Sequence, residues 1–539
     1  MGAAWLVVVS VIVLFIGYIW YGRYLARRFE IDPKRATPAN TKRDGVDYVP
    51  AKSFVLLGHH FSSIAGAGPI LGPIYAAVFG WIPVFFWILI GSIFMGGAHD
   101  FSAIVASVRH GGKSIGEVIE EHIGSAGKRL FLVFTWFMLI LVIAVFCKAV
   151  ASIFEDKPAT VTSSFLFIFL AVIFGLSIYK LKVSLWLASI VGVLLLLGCI
   201  ALGITFPIQQ SYKFWMYILF GYIFVAAVTP VWILLQPRDY LNSFLLYLIL
   251  LGGVVGVLVA NPKISFSAVP QFQTELGYLF PILFVTVACG AISGFHSLVS
   301  SGTTSKQLDT EPDARVVGYG SMLIEAVLAV LALITAVTIL QNDYSHLIKE
   351  ENGGPIGIFS RGVGGFLTHL GLPLKAGVTF AALAISAFAL TTLDTATRLG
   401  RFAFQEFFEQ KGKQSILSRN RYVGTLVTVF FSGLLAFSGT SKTLWPLFGS
   451  ANQLLASLVL LAVTVWLAEL RKKNNFIKYP MYFMFCVTLT ALGNLIYQNI
   501  VSKNYPLIFI TILLFVVAIF LVVEAGKSLK RISNETTSN

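Results

Sequence analysis

Runs of about twenty mostly apolar residues recur along this 539-residue chain, and they constrain its fold more than any other feature. A stretch of that length is what an α-helix needs to cross the ~30 Å hydrocarbon core of a bilayer. Hydrophobic residues make up 57% of the sequence and charged residues only 12%, whereas about a quarter of a soluble domain is charged. The sequence therefore predicts an all-α polytopic membrane protein and argues against a soluble or peripheral one.

The predicted spans number about fifteen, and most connections between them are short. The longest outer connection, 341–373, is rich in glycine and is interpreted either as a mobile lid or as a passive re-entrant loop. In the inner segment 108–129, Ser114 and Glu117 have the spacing of a capping box, which predicts a short helix on the membrane surface. The predicted spans are 4–22, 54–79, 82–107, 130–154, 162–179, 183–206, 214–236, 240–260, 277–304, 316–340, 374–396, 422–440, 443–469, 479–500 and 505–525.

The basic residues indicate how these spans are oriented. With the N-terminus placed outside, 30 of the 39 Lys and Arg residues fall on inner segments. Basic residues retained on the cytoplasmic side are the usual topology signal of membrane proteins. We therefore expect a cell (inner) membrane protein with its N-terminus outside and its C-terminus in the cytoplasm. The net charge of +14 then faces anionic lipid headgroups, and nucleic acid is not needed to explain it.

One stretch inside the span 54–79 is poorly suited to a continuous helix. It holds Ser63, Gly66, Ala67, Gly68 and Pro69 near the expected membrane midplane. An interrupted helix is tolerated in a bilayer only where it faces protein or a watery cavity. Many secondary transporters bind substrate at such unwound backbone, so these residues are predicted to bind substrate. The alternative is that small residues serve close helix packing.

A second interruption is predicted at Thr229 and Pro230, in the middle of span 214–236. This span runs opposite to 54–79 and lies five spans further on, which is how inverted-repeat transporters arrange their broken helices. The predicted architecture is a five-plus-five inverted-repeat core with one helix before it and about four after it. Its parts are an N-terminal helix and cytoplasmic linker (1–53), a first repeat (54–206), a second repeat (214–396), and C-terminal helices with a tail (397–539).

Hydroxyl side chains share one helical face of the span 277–304. Ser297, Ser300, Ser301 and Thr304 include pairs three and four residues apart. Their oxygens are able to coordinate a small hard cation or to bond a polar substrate. The alternative is that they satisfy the backbone of their own helix.

Ionisable side chains within the spans are costly in hydrocarbon and often mark transport pathways. Helical rise places nearly all of them in the inner half of the membrane. Histidine suits proton coupling because its pKa lies near neutrality, although a satisfied structural hydrogen bond is the alternative for these residues. The candidates for ion or proton coupling, beside the hydroxyl face, are His59, His60, His99, Asp100, His296 and Glu325.

Other polar residues lie at inner span ends and are interpreted as a gate or cytoplasmic pathway. Gln236, Arg238 and Asp239 form one group, for which a solvated ion pair is the alternative. Asp394 and Arg398 are four residues apart, so an i,i+4 pair at a helix end is the favoured interpretation for them.

Several of these stretches also carry a family resemblance. In "GHHFSSIAGAGPILGP", "GAHDF", "TPVWILLQPRDYL", "SGFHSLVSSGTTSKQL", "TTLDTATRLGR" and "LFGSANQLLA" the chain resembles the carbon starvation protein A (CstA) family of membrane transporters. The resemblance implies an inner-membrane transporter induced in starvation and associated with proton-coupled uptake of peptides or pyruvate. It also implies kinship with the amino-acid/polyamine/organocation superfamily and its LeuT-like core. In that fold the unwound parts of 54–79 and 214–236 would hold substrate, and the hydroxyl face of 277–304 would correspond to the ion site of sodium-coupled relatives.

Three classes of function compete. A secondary importer of small nutrients leads, because helix N-termini at a break favour a carboxylate. Its partners would be a small-molecule substrate, H+ or Na+, and membrane lipid. An enzyme is disfavoured because no HExxH or comparable spacing is present and the histidines fall on three spans, so no cofactor or resident metal is expected. The absence of a P-loop motif argues against ATP-driven transport. A starvation sensor or channel is the third class.

Overall fold

The computed structural model describes residues 2–45, 47–230, 234–349, 353–409, 415–438 and 441–537, and these residues are helical almost throughout. The α-helices are α1 (Ala4–Arg28), α2 (Pro38–Thr41), α3 (Ser53–Ile64), α4 (Gly68–Ala76), α5 (Trp81–Gly91), α6 (Gly97–Arg109), α7 (Ile115–His122), α8 (Ser125–Asp156), α9 (Pro158–Tyr179), α10 (Leu185–Thr205), α11 (Tyr212–Val228), α12 (Leu235–Ala260), α13 (Leu279–Val287), α14 (Phe295–Gly302), α15 (Ser321–Val337), α16 (Gln341–Leu347), α17 (Gly354–Thr368), α18 (Leu374–Phe407), α19 (Ile416–Arg419), α20 (Arg421–Ser438), α21 (Ser441–Glu469), α22 (Asn475–Val501) and α23 (Tyr505–Thr537). Two short strands, β1 (Gln273–Thr274) and β2 (Gly277–Tyr278), form an antiparallel hairpin.

Short 3₁₀ and π segments continue or join several of these helices. A π segment, Ser92–Gly96, joins α5 to α6, and another, Arg315–Gly320, leads into α15. Within the described ranges, 13 helices, counted together with the short segments that continue them, are long and apolar enough to cross a membrane. The bent pair α3–α4 adds a fourteenth span. The apolar helix α11 is slightly shorter, at 17 residues. Each predicted span thus coincides with an apolar helix or helix pair, and a multi-pass, all-α membrane architecture is confirmed.

The predicted interruption of the span 54–79 is confirmed. Helix α3 ends at Ile64, α4 begins at Gly68, and the two are bent by 49°. Pro69 occupies the first turn of α4, where its missing N–H would have no partner within the helix. The chain therefore changes direction here at no cost to the hydrogen bonds of α4.

The structure differs from the prediction at Thr229 and Pro230. Helix α11 ends at Val228, Thr229 is extended, and α12 begins at Leu235, so the dipeptide ends a helix and does not interrupt a continuing one. Proline disfavours helical geometry in the residue before it, which explains the end. The prediction that Gln236 and Pro237 close the span 214–236 is wrong, because both fall in the first turn of α12. Residues 231–233 and the side chain of Gln236 lie outside the described part of the chain.

A different span contains the second interruption. Within the span Leu279–Lys306, α13 ends at Val287, a 3₁₀ turn covers Ala288–Gly290, and α14 begins only at Phe295. Ala288 has a φ of 40°, a region that residues with a side chain rarely adopt. Residues 288–294 are therefore a break in a buried span that the sequence analysis did not identify.

The two interrupted spans pack together at the centre of the protein. Helix α4 contacts α13, the turn at 288–290 and α15, while α6 contacts α14 and the π segment before α15. Helices α8 and α18 make the largest interface of the fold and lie beside this bundle. A continuous hydrophobic core runs through all of these elements.

The side at which α1 ends, which we call the basic face, is closed by ion pairs between distant segments. The buried carboxylate of Glu311 accepts hydrogen bonds from Arg35 and Arg109 at 2.8 Å and from the Asp32 amide at 2.8 Å. Helix α7 lies on this face, and the Ser114 hydroxyl accepts from the Glu117 amide at its start, as predicted.

The long connection 341–373 contains α16 and α17, and the described part of it is largely ordered. Helix α17 buries one side against α18, α12, α15 and α4. This connection therefore contains a packed helix, and its role as a mobile lid or as a passive re-entrant loop stays a prediction.

Candidate functional site

The two breaks face one another at very short range, which glycine makes possible. A Cβ atom on Gly68 would lie 2.6 Å from the Cys289 sulfur, inside the second break. One on Gly66 would lie 2.4 Å from the Thr392 hydroxyl of α18 and 3.2 Å from the Phe146 ring of α8. The first break is thus enclosed by the second break, α8 and α18.

Asn452 of α21 supports the second break. Its amide oxygen accepts from the Phe295 amide at 2.9 Å, its Nδ2 donates to the Ser293 hydroxyl at 3.0 Å, and its backbone carbonyl accepts from the Gly294 amide at 3.0 Å. These bonds replace those that a continuous helix would make, because unsatisfied backbone groups are costly in a bilayer. The sequence analysis missed Asn452, although an amide inside the apolar span 443–469 was a usable signal.

Four predicted coupling residues form one buried chain, which we call the Asp100 relay. His99 Nδ1 lies 2.8 Å from one carboxylate oxygen of Asp100, and His296 Nδ1 lies 2.8 Å from the other. His296 Nε2 lies 3.4 Å from the carboxylate of Glu325. All four side chains are fully buried, and they join α6, α14 and α15. An alternating chain of imidazoles and carboxylates is chemically suited to holding and passing a proton.

His60 and the hydroxyl face lie beside this relay with mostly local partners. His60 Nδ1 is 2.8 Å from the Thr304 hydroxyl. Ser297 donates to the Gly294 carbonyl at 2.6 Å, and Ser301 donates to the Ser297 carbonyl at 2.8 Å, as in the alternative interpretation of the hydroxyl row. These two hydroxyls are thus occupied by their own helix.

Two further predicted residues differ in their hydrogen bonding. The buried Ser300 hydroxyl has no hydrogen-bond partner among the described residues. Ser63 of α3 donates to the His59 carbonyl at 2.9 Å. Ser300 is therefore the member of the row whose hydroxyl is not bonded to another described group.

The gate residues form a second buried group, the Arg238 cluster, made of Tyr222, Arg238, Asp239 and Asp394. Arg238 donates to the carboxylate of Asp394 and to the Tyr222 hydroxyl, which itself donates to Asp394 at 2.8 Å. The Asp239 carboxylate lies 3.7 Å from Arg238 and 3.9 Å from His59 Nδ1. The interpretation of Arg238 and Asp239 as a solvated pair is wrong, because both are buried. Tyr222 was missed by the sequence analysis.

The expected i,i+4 pair between Asp394 and Arg398 is wrong as well. Arg398 instead donates to the carbonyls of Ala226 and Thr229 at 2.9 and 2.7 Å. Arg401 donates to the Ala227 carbonyl at 2.9 Å. The last carbonyls of a helix have no partner within it and carry partial negative charge, so two guanidinium groups stabilise the end of α11.

Thr229 therefore lies beside an arginine of α18, and Pro230 is exposed. The structure shows neither of them in contact with the first break.

A small cavity lies next to the far half of the first interrupted span. Its volume is about 60 Å³, and Leu71, Tyr75, Lys148, Tyr212 and Trp445 line part of it. It combines aromatic walls with one ammonium group, a chemistry that suits a small solute bearing a carboxylate.

Comparison with known proteins identifies the family. Residues 2–352 and 346–491 match the family described as "Carbon starvation protein CstA". The chain belongs to the CstA family. Curated members are similar over most of their length and over most of this chain.

Three relatives illustrate the similarity. The pyruvate/proton symporter BtsT of Escherichia coli (strain K12) is 32% identical, with 91% of this chain and 81% of the relative covered. The peptide transporter CstA of Bacillus subtilis (strain 168) is 31% identical, with 98% and 97% covered. The peptide transporter CstA of Helicobacter pylori (strain ATCC 700392 / 26695) is 35% identical, with 86% and 78% covered. These CstA relatives are named as transporters, so the role of this chain is transport and not catalysis.

Among solved structures, a manganese transporter of Eremococcus coleocola overlaps with 91% of this chain and 99% of its own, at a TM-score of 0.47 and 15% identity. This likeness is too distant to bear on the arrangement of helices in the CstA chain.

Proposed function

We propose that this protein is a secondary active transporter that imports small carboxylate-bearing nutrients, peptides or pyruvate, by alternating access around a midplane site and coupled to protons. The observation that carries the proposal is the contact between two broken spans beside a buried histidine–carboxylate chain. Many secondary transporters bind substrate where helices are interrupted near the membrane midplane, and two facing breaks would form such a site from both sides.

We also propose a revised pairing of the inverted repeats. The interrupted span 53–79 pairs with 279–306 in place of 214–236. Because successive spans alternate in direction, these two spans run in opposite directions. Helix α6, in the span after the first interrupted span, contacts α14 of the second, and α15, which follows the second, contacts α4 of the first. Spans 212–228 and 237–260 then lie between the two repeats.

The substrate-binding residues on this basis lie at the first break and around the second. Gly66, Ala67, Gly68 and Pro69 keep the role that the sequence analysis gives them. The segment 288–294 takes the place of Thr229 and Pro230. The relatives' names support peptide or pyruvate as substrate, and both solutes carry a carboxylate. Lys148, which lines the cavity, would attract such a carboxylate by its charge.

Proton coupling is supported by the Asp100 relay and by the name of the E. coli symporter. His296 contacts two carboxylates at once, so a proton added to either side changes the charge balance between α6 and α15. Sodium coupling is the second candidate, because the Ser300 oxygen is buried and free of partners among the described residues. The distribution of Lys and Arg supports a cell (inner) membrane with the N-terminus outside and the basic face in the cytoplasm.

Uptake by reconstituted protein tests the proposal. Proteoliposomes receive labelled pyruvate or labelled dialanine under an inward proton gradient, an inward sodium gradient, or neither. We expect accumulation of one solute with the proton gradient, collapse of that accumulation by a protonophore, and gradient-free counterflow exchange. Uptake that follows sodium and ignores the proton gradient would overturn proton coupling. Absence of counterflow for both solutes would overturn the proposed substrates.

A further inference from the structure

A cluster of metal-ligating side chains lies on the basic face, away from the transport site. His110 follows the end of α6, while Glu121 and His122 lie at the end of α7. One ligand atom from each side chain lies within 4.8 Å of the others, and no other described group of histidines, cysteines and carboxylates meets this condition. None of these residues belongs to the Asp100 relay or the Arg238 cluster.

The hydrogen bonds of His110 fix the position of its proton. Its Nδ1 lies 2.6 Å from the Ala106 carbonyl oxygen, which only accepts, so Nδ1 carries the hydrogen. The Nε2 atom of a neutral ring protonated at Nδ1 presents a lone pair.

His122 has the same arrangement with a different partner. Its Nδ1 is hydrogen-bonded to the carboxylate of Glu469 at the end of α21, so in the neutral ring, with the hydrogen on Nδ1, its Nε2 also presents a lone pair. The Nε2 atoms of His110 and His122 are only 2.8 Å apart, with the rings tip to tip at 84°. If neither Nε2 carries a hydrogen, the two lone pairs repel at this distance, so the contact needs a cation between the nitrogens, either a shared proton or a metal ion.

We propose that His110 Nε2, His122 Nε2 and the Glu121 carboxylate form a binding site for a divalent transition metal of the Zn2+ class. Imidazole ligands favour zinc, copper and nickel over magnesium and calcium. The carbonyl and carboxylate that bond the two Nδ1 atoms orient the rings as outer partners of zinc-bound histidines do. Three protein ligands leave a fourth position for water.

Two small adjustments seat the ion. The Nε2 atoms move from 2.8 Å to about 3.3 Å apart, the spacing that Zn–N bonds of about 2.0–2.1 Å give at a tetrahedral angle. Glu121 turns away from Lys113, 3.3 Å distant, and since both side chains are about half exposed this contact is weak. The bound ion ties α6 to α7 and, through Glu469, to α21.

Metal binding by the purified, untagged chain tests the site. The protein in detergent is stripped with chelator and titrated with Zn2+ against a chromophoric indicator. We expect one tight site for Zn2+. Its affinity should fall at least 100-fold in His110→Gln and in His122→Gln, and about tenfold in Glu469→Gln, the usual effect of removing an outer partner. His369→Gln, at an exposed position far along the chain, is the matched control and should bind as wild type does.

Cobalt provides a readout that needs no variant to fold. Co2+ in place of Zn2+ should give the intense visible bands of a tetrahedral site with nitrogen and oxygen ligands. Absence of a stoichiometric site, unchanged affinity in the double variant His110→Gln/His122→Gln, or an octahedral cobalt spectrum would each overturn the assignment. If no stoichiometric site is found, the cation between the two Nε2 atoms is a shared proton and not a metal ion.

Discussion

His296 and Asp100 lie on different spans, and their side chains meet at 2.8 Å in a region with no exposed surface. His296 is the second residue of α14, the helix that follows the second break. Asp100 lies on α6, which is the later half of the span that follows the first break. A change in proton occupancy here therefore acts directly on the relative position of two helices that frame the proposed substrate site.

Replacing Glu325 with glutamine should uncouple transport from the proton gradient. The substitution keeps the size and shape of a side chain that lies 3.4 Å from His296 Nε2 but removes its ionisable group. We expect gradient-driven accumulation to fall at least tenfold while counterflow exchange persists, measured with labelled pyruvate or dialanine in proteoliposomes. Thr335→Val on the same helix is the control, because Thr335 bonds only the Ala332 carbonyl of its own helix. Equal loss in both assays would assign Glu325 a purely structural role.

The Arg238 cluster should behave as a coupled unit in a double-mutant cycle. Arg238→Gln leaves Asp239 and Asp394 buried without their cation, and breaking a buried pair in this way costs about 3–5 kcal/mol. Adding Asp394→Asn removes one of the unpaired charges, so the double variant should be more stable than Arg238→Gln alone. Thermal unfolding in detergent gives the stability of each single variant and of the double variant relative to the wild type. Additive losses would show that the two side chains do not interact.

The close approach of the interrupted spans should make Gly72 irreplaceable. A Cβ there would lie 2.5 Å from the Val287 carbonyl oxygen and 2.6 Å from that of Thr286, both of which belong to the backbone. Gly72→Ala should lower stability by about 1–3 kcal/mol, the usual cost of overpacking, and abolish uptake. Gly493→Ala, where a Cβ meets no atom within 4 Å, should be neutral or slightly stabilising. Wild-type uptake by Gly72→Ala would contradict the packing.

The stability contributed by Glu311 should depend on pH. Burial alone raises the pKa of this carboxyl, but hydrogen bonds from Arg109, the Asp32 amide and Arg35 outweigh it and lower the pKa below the ordinary 4.5. A depressed folded-state pKa contributes stability that is complete above 4.5 and is lost as the pH falls through the folded value. The difference in unfolding temperature between wild type and Glu311→Gln should therefore be large at pH 7 and shrink below pH 4.5. Glu275→Gln, at an exposed carboxylate, should show no such trend.

The sequence predicted the spans because a bilayer leaves backbone groups no external partners, so long apolar helices are the available solution. Gly66, Gly68 and Pro69 indicated the first break, because a bilayer tolerates an interrupted helix only where it faces protein or a watery cavity. The second break was missed because small residues such as Ala288 and Gly290 are equally typical of close helix packing.

The partners of the buried charges were harder to predict than the helices. Asp394 bonds Arg238, a residue 156 positions away, in preference to Arg398 one turn along its own helix. Tertiary packing decides that choice, and a spacing rule contains no information about it. The four members of the Asp100 relay were each identified by type and depth, yet only the fold shows that they touch.

The two guanidinium groups at the end of α11 have a mechanical consequence. Arg398 and Arg401 attach α18 to three backbone oxygens of the last turn of α11, so α18 cannot rotate without displacing the terminus of α11. Asp394 is one turn earlier on α18, and Tyr222 of the Arg238 cluster lies on α11, so a shift in the cluster acts on α11 both directly and through the two arginines.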